Sequence, residues 1–252
     1  MDKIRLLITV KTYPTPSTRY REIVCTAGVK EDGTWIRLYP IEYRFRDYSQ
    51  WYKKYQWIEV EVEKNFRDPR PESFRPVSDI KILGKPLGTE NDWAERKKYV
   101  LAKGTKTMCW LQKQSQKNIS LSVVKPKEVK DFYWEKCSNT WSSKQNEALS
   151  RIGLFDDNVP SKLEKIPYKF LYHFICEEPN CPGHKMMIED WEIMELYRKM
   201  KDKYGEHEGL LKVKEKFFNK ICSSDKDTHF FVGTVLQYGT WIIIGTFWPH
   251  RI

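Results

Sequence analysis

The chain has 252 residues, 40% of them hydrophobic and 14% aromatic, and a formal net charge of +10 from 44 Lys+Arg against 34 Asp+Glu. Such a length supports one large domain or two smaller ones, the aromatic content excludes a disordered chain, and the positive excess points to an anionic partner such as nucleic acid. Six cysteines in so long a chain are too sparse for a disulfide framework and leave reduced thiols for a metal.

Strand signals dominate the first third. KIRLLITVKTY and REIVCTAGV are β-branched and apolar, separated by PTPST, and KEDG reads as a turn into TWIRLYPI. In YQWIEVEVEK (55–64) Trp57, Glu59, Glu61 and Glu63 alternate with Ile58, Val60 and Val62, the mark of a half-buried strand. NFRDPRPESFRPVSD (65–79) holds Pro69, Pro71 and Pro76 and reads as a connecting loop before a short strand in IKILG. DWAERKKYVLA then predicts a helix with Asp92 as its N-cap, and SLSVVKPKEVKDFYW is strand-like but broken at Pro126.

The stretch 138–165 is the most linker-like, and YKFLYHFI after it is an apolar, aromatic strand. DWEIMELYRKMKDKYG predicts a helix that buries Trp191, Met194 and Tyr197, with Asp190 at its N-cap and Gly205 as its stop. A second amphipathic helix follows in GLLKVKEKFFNKI, and THFFVGTVLQ with TWIIIGTFW predicts a terminal β-hairpin turning at Tyr238-Gly239. The expected class is α+β. Its N-terminal part is β-rich and compatible with a small barrel, its middle is mixed and basic, and its C-terminal part carries a zinc knuckle, two helices and the hairpin. The expected division is 1–160 and 161–252, with one continuous domain equally allowed.

ICEEPNCPGHKMMIEDWE (175–192) packs Cys176, Cys181 and His184 into nine positions with prolines and a glycine between them. Soft thiolates and an imidazole on so short a loop suit a structural Zn²⁺, since Pro and Gly let the chain curl around an ion. His173 is the fourth ligand chosen, completing H-x2-C-x4-C-x2-H. A straight strand there would turn His173 away from Cys176, so Cys222 is a rival, and Cys25, Cys109 and Cys137 stay open.

The strongest functional signal is basic. From Arg96 to Lys127 stand nine cations (Arg96, Lys97, Lys98, Lys103, Lys106, Lys113, Lys117, Lys125 and Lys127) and no acid. Trp93 stands just before this stretch, Tyr99 and Trp110 lie within it, and Phe132, Tyr133 and Trp134 follow. Phosphates need cations without competing negative charge, and unpaired bases need flat rings to stack on, so Trp110 joins the lysines as a candidate contact. The competing reading is a solvated lysine face with Trp in the core. Arg19 and Arg21, in the proline-bounded loop KTYPTPSTRYRE, are further candidates for a phosphate.

Glu189, Asp190 and Glu192 lie where a helix begins, so capping and the macrodipole account for them, and Asn would cap equally well at 190. A sharper reading joins Asp190 or Glu192 to Asp225, Asp227 or His229 around a catalytic Mg²⁺. Walker A, G-x-G-x-x-G, H-E-x-x-H and G-x-S-x-G sequences are absent. The expected function is zinc-containing, nucleic-acid-binding (RNA or DNA), within a larger nucleoprotein assembly with other protein subunits. A metal-dependent nuclease or nucleotide-processing enzyme is the alternative, and a protein–protein adaptor is the third reading. LLITV after Met1 is too short for a secretory signal, and WIIIGTFW is too short to span a bilayer. The expected setting is therefore cytoplasmic, with no membrane partner.

Overall fold

The computed structural model describes residues 2–150 and 160–251. Strands β1 (Asp2–Lys11), β2 (Thr15–Pro16), β3 (Glu22–Val29), β4 (Trp35–Ile41), β5 (Trp57–Lys64), β6 (Ser73–Pro76) and β7 (Lys81–Leu83) form the first sheet. Five of them close on themselves in the order β1-β3-β4-β6-β5, with β5 returning to pair β1. Asp2–Leu7 of β1 pairs with β5 and Leu7–Lys11 with β3, so one strand serves two neighbours. The β4–β6 pair is parallel and the others in the ring are antiparallel. This is the strand order of an OB-type Greek-key barrel.

The barrel interior follows from the alternation in the sequence. Leu6 and Ile8 of β1, Ile36 and Leu38 of β4, and Ile58, Val60 and Val62 of β5 fill it. A stretch read as loop supplies β6, which pairs with both β4 and β5 and so closes the ring. Prolines hid this strand. Pro71 precedes it and Pro76 ends it, positions where the missing N–H is tolerated.

The second sheet contains β8 (Leu121–Val124), β9 (Glu128–Lys136), β10 (Tyr168–Ile175), β11 (His184–Ile188), β12 (His229–Thr234) and β13 (Trp241–Phe247), in the order β8-β12-β13-β11-β10-β9. β12 and β13 pair antiparallel across the turn at 235–240. β13 is buried along its whole length. Ile242, Ile244 and Phe247 meet the barrel's outer face through Val10, Ala27 and Tyr55, while Trp241 and Ile243 face the helical side. An apolar run without alternation is what a strand covered on both faces requires. Sheet membership changes between residues 83 and 121, so β8 and β9 lie with the C-terminal strands.

The helices are α1 (Glu90–Val100), α2 (Met108–Gln112), α3 (Ser143–Ser150), α4 (Trp191–Tyr204) and α5 (Glu206–Lys214), the last running into a π-helical turn at Glu215–Lys220. α4 buries Ile193, Met194 and Tyr197 against the second sheet. Trp191, expected in that core, is half-buried and instead bridges the two units, its ring 5.4 Å from Tyr43 and 6.3 Å from Tyr13. Asp92 does not cap α1. Residues 91–93 are left-handed, and the Asp92 carboxylate accepts from the His250 backbone and from Lys97. The linker-like stretch contains α3, and its part over 151–159 lies outside the described residues.

Two buried cations tie the units together. Arg37, on the outer face of β4, donates to Ser120 Oγ at 2.8 Å and to its carbonyl at 3.0 Å, while Glu72 accepts from the same serine. Lys54, from the segment leading into β5, donates to Asp190 at 2.8 Å and Glu192 at 2.9 Å. Burial opposes its charge, but the two carboxylates outweigh that and hold its pKa well above the ordinary lysine range. Asp190 is fully buried and also caps α4 by accepting from the Glu192 N–H at 2.9 Å. The Asp190→Asn variant keeps the cap but strips a buried ammonium of one partner. It should cost about 3 kcal/mol, the low end for a broken buried pair because Glu192 remains. Denaturant titration measures this, and a change of a few tenths would leave capping as the whole role of Asp190.

Candidate metal centre and nucleic-acid interface

Cys176 follows the last residue of β10, Cys181 lies on the loop that returns from it, and His184 opens β11. Gly183 has φ +83°, a left-handed turn that glycine adopts without strain, and it brings the loop back onto the sheet. The fourth member comes from far upstream: Cys109, the second residue of α2. The ligand atoms of Cys109, Cys176, Cys181 and His184 all lie within 4.8 Å of one another. His184 Nε2 is 3.3 Å from both Cys109 Sγ and Cys181 Sγ.

Local backbone geometry supports this grouping. The Met108 N–H donates to Cys176 Sγ at 3.1 Å and the Cys176 N–H to Cys181 Sγ at 3.2 Å, so two thiols already receive donors suited to thiolates. Thr107 caps α2 by accepting from the Trp110 N–H at 3.1 Å, and its hydroxyl donates to Glu178 in the knuckle at 2.9 Å. Burial, then the neighbouring thiols, pushes Cys109 up to about 12, while burial lowers His184. At Cys181 burial works against the thiolate, but the N–H groups of Cys176 and Gly183 outweigh it and the pKa falls. Three sulfurs and one imidazole nitrogen in this space can hold a metal ion.

His173 is not in this set. The burial of β10 alternates, so His173 points away from Tyr172, Phe174 and Cys176, and its imidazole packs over Gly183 instead. Cys222 lies elsewhere, its thiol donating to the Phe217 carbonyl. Nor are the acids gathered. Asp190 is taken by Lys54, Asp225 meets Lys226 and His250, and Asp227 meets Lys125 and His229. The Cys3His group is the one metal-competent cluster among the described residues.

The basic stretch divides in two. Arg96 donates to the Leu87 carbonyl and stacks 4.0 Å over Tyr55, Lys97 pairs with Asp92, and Lys125 pairs with Asp227 at 2.7 Å. These three already have partners within the protein. Lys98, Lys103, Lys106, Lys113, Lys117 and Lys127 are exposed, as is Trp110 at 41%, with the Lys106 ammonium 5.5 Å above its ring. Trp93 and Phe132 are core residues.

A cleft of about 360 Å³ opens where the β1–β3 loop, β4 and the β5–β6 loop meet. Arg19, Tyr20, Tyr39, Phe66, Arg67 and Arg75 line it, with Leu236 of the β12–β13 turn on its rim. Phe66 is 92% exposed, an uncommon state for a large apolar ring. Arg19 lies 5.1 Å over Tyr20, Arg75 pairs with Glu63, and Arg21 is turned to Glu42 and the Phe45 ring, 3.8 Å away. The rim leads back to the basic stretch: Gly239, in the turn that carries Leu236 and the exposed Tyr238, packs against Gln116 beside Lys117. Sequence reasoning found Arg19 but passed over Phe66 and Arg67. An aromatic beside an arginine in a rigid, proline-rich connection was the available signal.

The family comparison matches this architecture. A model described as Domain of unknown function (DUF8757) covers residues 104–252, more than half of the chain. The chain belongs to the DUF8757 family. A second model, Domain of unknown function (DUF8758), matches residues 2–102, which hold all the barrel strands, whereas the DUF8757 segment holds the second sheet and all four members of the Cys3His cluster. Among curated proteins none matches. One solved structure, a murine DNA binding protein bound with double-stranded DNA, aligns over 100% of this chain and 97% of that one at 8% identity and a TM-score of 0.33. Likeness at that level is too slight to establish a common fold. No helix among the described residues is long and apolar enough to cross a membrane.

Elemental analysis of purified protein tests the ligand set. Cys109→Ser should release the metal and lower the thermal midpoint, because metal binding contributes to folding free energy. His173→Ala should retain it. Metal loss in the second variant with retention in the first would restore the sequence-based assignment.

Proposed function

We propose that this DUF8757 protein binds single-stranded nucleic acid in the barrel cleft, with Zn²⁺ in the Cys3His centre as a structural ion. The observation that carries this reading is Phe66, an almost fully exposed ring that lines the cleft together with Arg19 and Arg67. Barrels of this topology use the loops that join their first two strands and their last two to bind oligonucleotides, and those are the two loops that build this cleft. That part of the support is fold-level analogy. The independent part is chemical: an exposed ring stacks bases at little cost, and arginines follow the backbone. Lys113, Lys117 and Trp110 extend the track past the β12–β13 turn.

Zinc is the favoured ion because three thiolates and one imidazole form a closed, soft donor set in a reducing compartment. With all four positions taken by protein there is no open place for water, so the ion holds α2 and the knuckle in shape. A cytoplasmic nucleoprotein assembly with further protein subunits fits these properties, as does a unit boundary near residue 103.

Binding of labelled single strands across a salt series tests the reading. Arg19→Gln with Arg67→Gln should weaken binding to all sequences and flatten the log–log salt slope by up to about 0.7 per lost contact. Phe66→Ala should cost about 1–3 kcal/mol and leave the slope nearly unchanged. Because Phe66 is exposed, its removal should not move the thermal midpoint. Wild-type affinity and slope in both variants would remove the cleft from the binding surface.

A further inference from the structure

A second cleft, of about 550 Å³, lies between the barrel and the second sheet and shares Tyr39 and Leu236 with the first. Its volume is within the roughly 300–1,000 Å³ of small-molecule sites. One side is apolar, formed by Ile242, Ile244 and Val235. Glu189 also lines this cleft, and among the described residues no hydrogen bond or ion pair reaches its carboxylate. Burial raises its pKa, and the charge of Lys169 offsets part of that. Thr234 lines the same space, 5% exposed, with a hydroxyl oxygen that has no hydrogen-bond partner. Glu189 is half-buried, whereas the Thr234 hydroxyl is a buried polar group without a partner, which calls for an explanation, and a ligand is one.

The two arginines of the cleft do not make it a phosphate site. Arg37 is held by Ser120, and Arg70 by Asp68 and the Thr234 carbonyl. Neither guanidinium is left free to take an anion. A ligand that suits this lining is apolar on its faces and carries hydrogen-bond donors on one edge, and the shared Tyr39 and Leu236 put it next to the outer cleft.

We infer that the inner cleft receives one guanine base from a strand bound in the outer cleft, with Glu189 accepting from its N1–H and 2-amino groups. This rests on the nucleic-acid reading above. A carboxylate offers acceptors only, and guanine is the base whose pairing edge places two donors side by side. Adenine and cytosine present an acceptor beside their amino group, and uracil or thymine sets one donor between two carbonyls. Tyr39 stands at the passage between the clefts, where an unstacked base meets a ring, and Thr234 supplies a further hydrogen-bonding group.

The test measures binding of oligothymidine strands that carry one guanine, hypoxanthine, adenine or cytosine at a central position. Wild-type protein should prefer guanine about ten-fold or more, and hypoxanthine, which lacks the 2-amino group, should lose most of that preference. Glu189→Gln should abolish the preference and leave affinity for plain oligothymidine unchanged. Thr234→Val keeps the side-chain shape and should shrink the guanine preference, a second readout if the first variant is unstable. Equal binding of all strands by the wild type, a preference for another base, or an intact guanine preference in Glu189→Gln would overturn the inference while leaving the outer-cleft reading in place. Failure to bind any strand would overturn both.

Discussion

The arrangement depends on an ammonium group that is hard to bury. Lys54 lies with its side chain 8% exposed where the barrel meets the start of α4, and its charge is stable there because Asp190 and Glu192 surround it. Asp190 in turn is fixed by capping α4, so the ion pair ties a barrel segment to one helix terminus in one geometry. Lys11 shows the opposite case. With no carboxylate of its own and its ammonium 4.4 Å over the Tyr43 ring, burial and then the charge of Lys54 bring it down to about 8. Apolar contact between β13 and the barrel draws the units together, but such contact is not directional. The buried polar links at Lys54 and Arg37 select one orientation, and that orientation defines the clefts.

How much of this was legible in the sequence depends on whether a residue's partners are near it along the chain. β5 was legible because Ile58, Val60 and Val62 alternate with glutamates. Helix α4 was legible from Asp190 and Gly205. The mixed, β-rich class was therefore clear, and so was the compact Cys176, Cys181 and His184 group. β6 was hidden by prolines, and barrel closure with it, since ring closure is a property of pairing between distant strands. Cys109 sits on a five-residue helix with no acid, cap pair or long apolar period to mark it, and its partners lie far along the chain. His173 had the right spacing and the wrong face.

The acidic cluster shows how one local motif can carry several duties. Capping alone accounts for Asp190 in the sequence, and it does cap. The sequence gives no sign that Lys54 also reaches it from the barrel, or that Glu189, one residue earlier, turns into a cleft instead of toward the helix. Adjacent carboxylates thus meet different surroundings. One is neutralised by a buried cation, one has no partner among the described residues, and Glu192 is exposed to solvent while completing the cage around Lys54. A shared catalytic metal would need these groups to converge, and the backbone separates them.

The Cys3His cluster and the clefts are connected through the fold. Cys109 belongs to α2, and its neighbour Trp110 is the exposed ring of that helix. A helix of five residues is too short to persist in water by itself, so its geometry must come from anchors. One anchor is Met108 in the core, another is Thr107 bonded to Glu178, and the third is the thiol at the Cys3His cluster. The segment beyond α2 runs past Lys113 to Gln116, next to Lys117, and Gln116 lies close to Gly239 of the β12–β13 turn, which borders both clefts through Leu236. An ion bound there would fix α2, and through α2 the basic segment beside the clefts, without touching a ligand. A purely structural ion would in this way help set the shape of clefts that are lined by other residues.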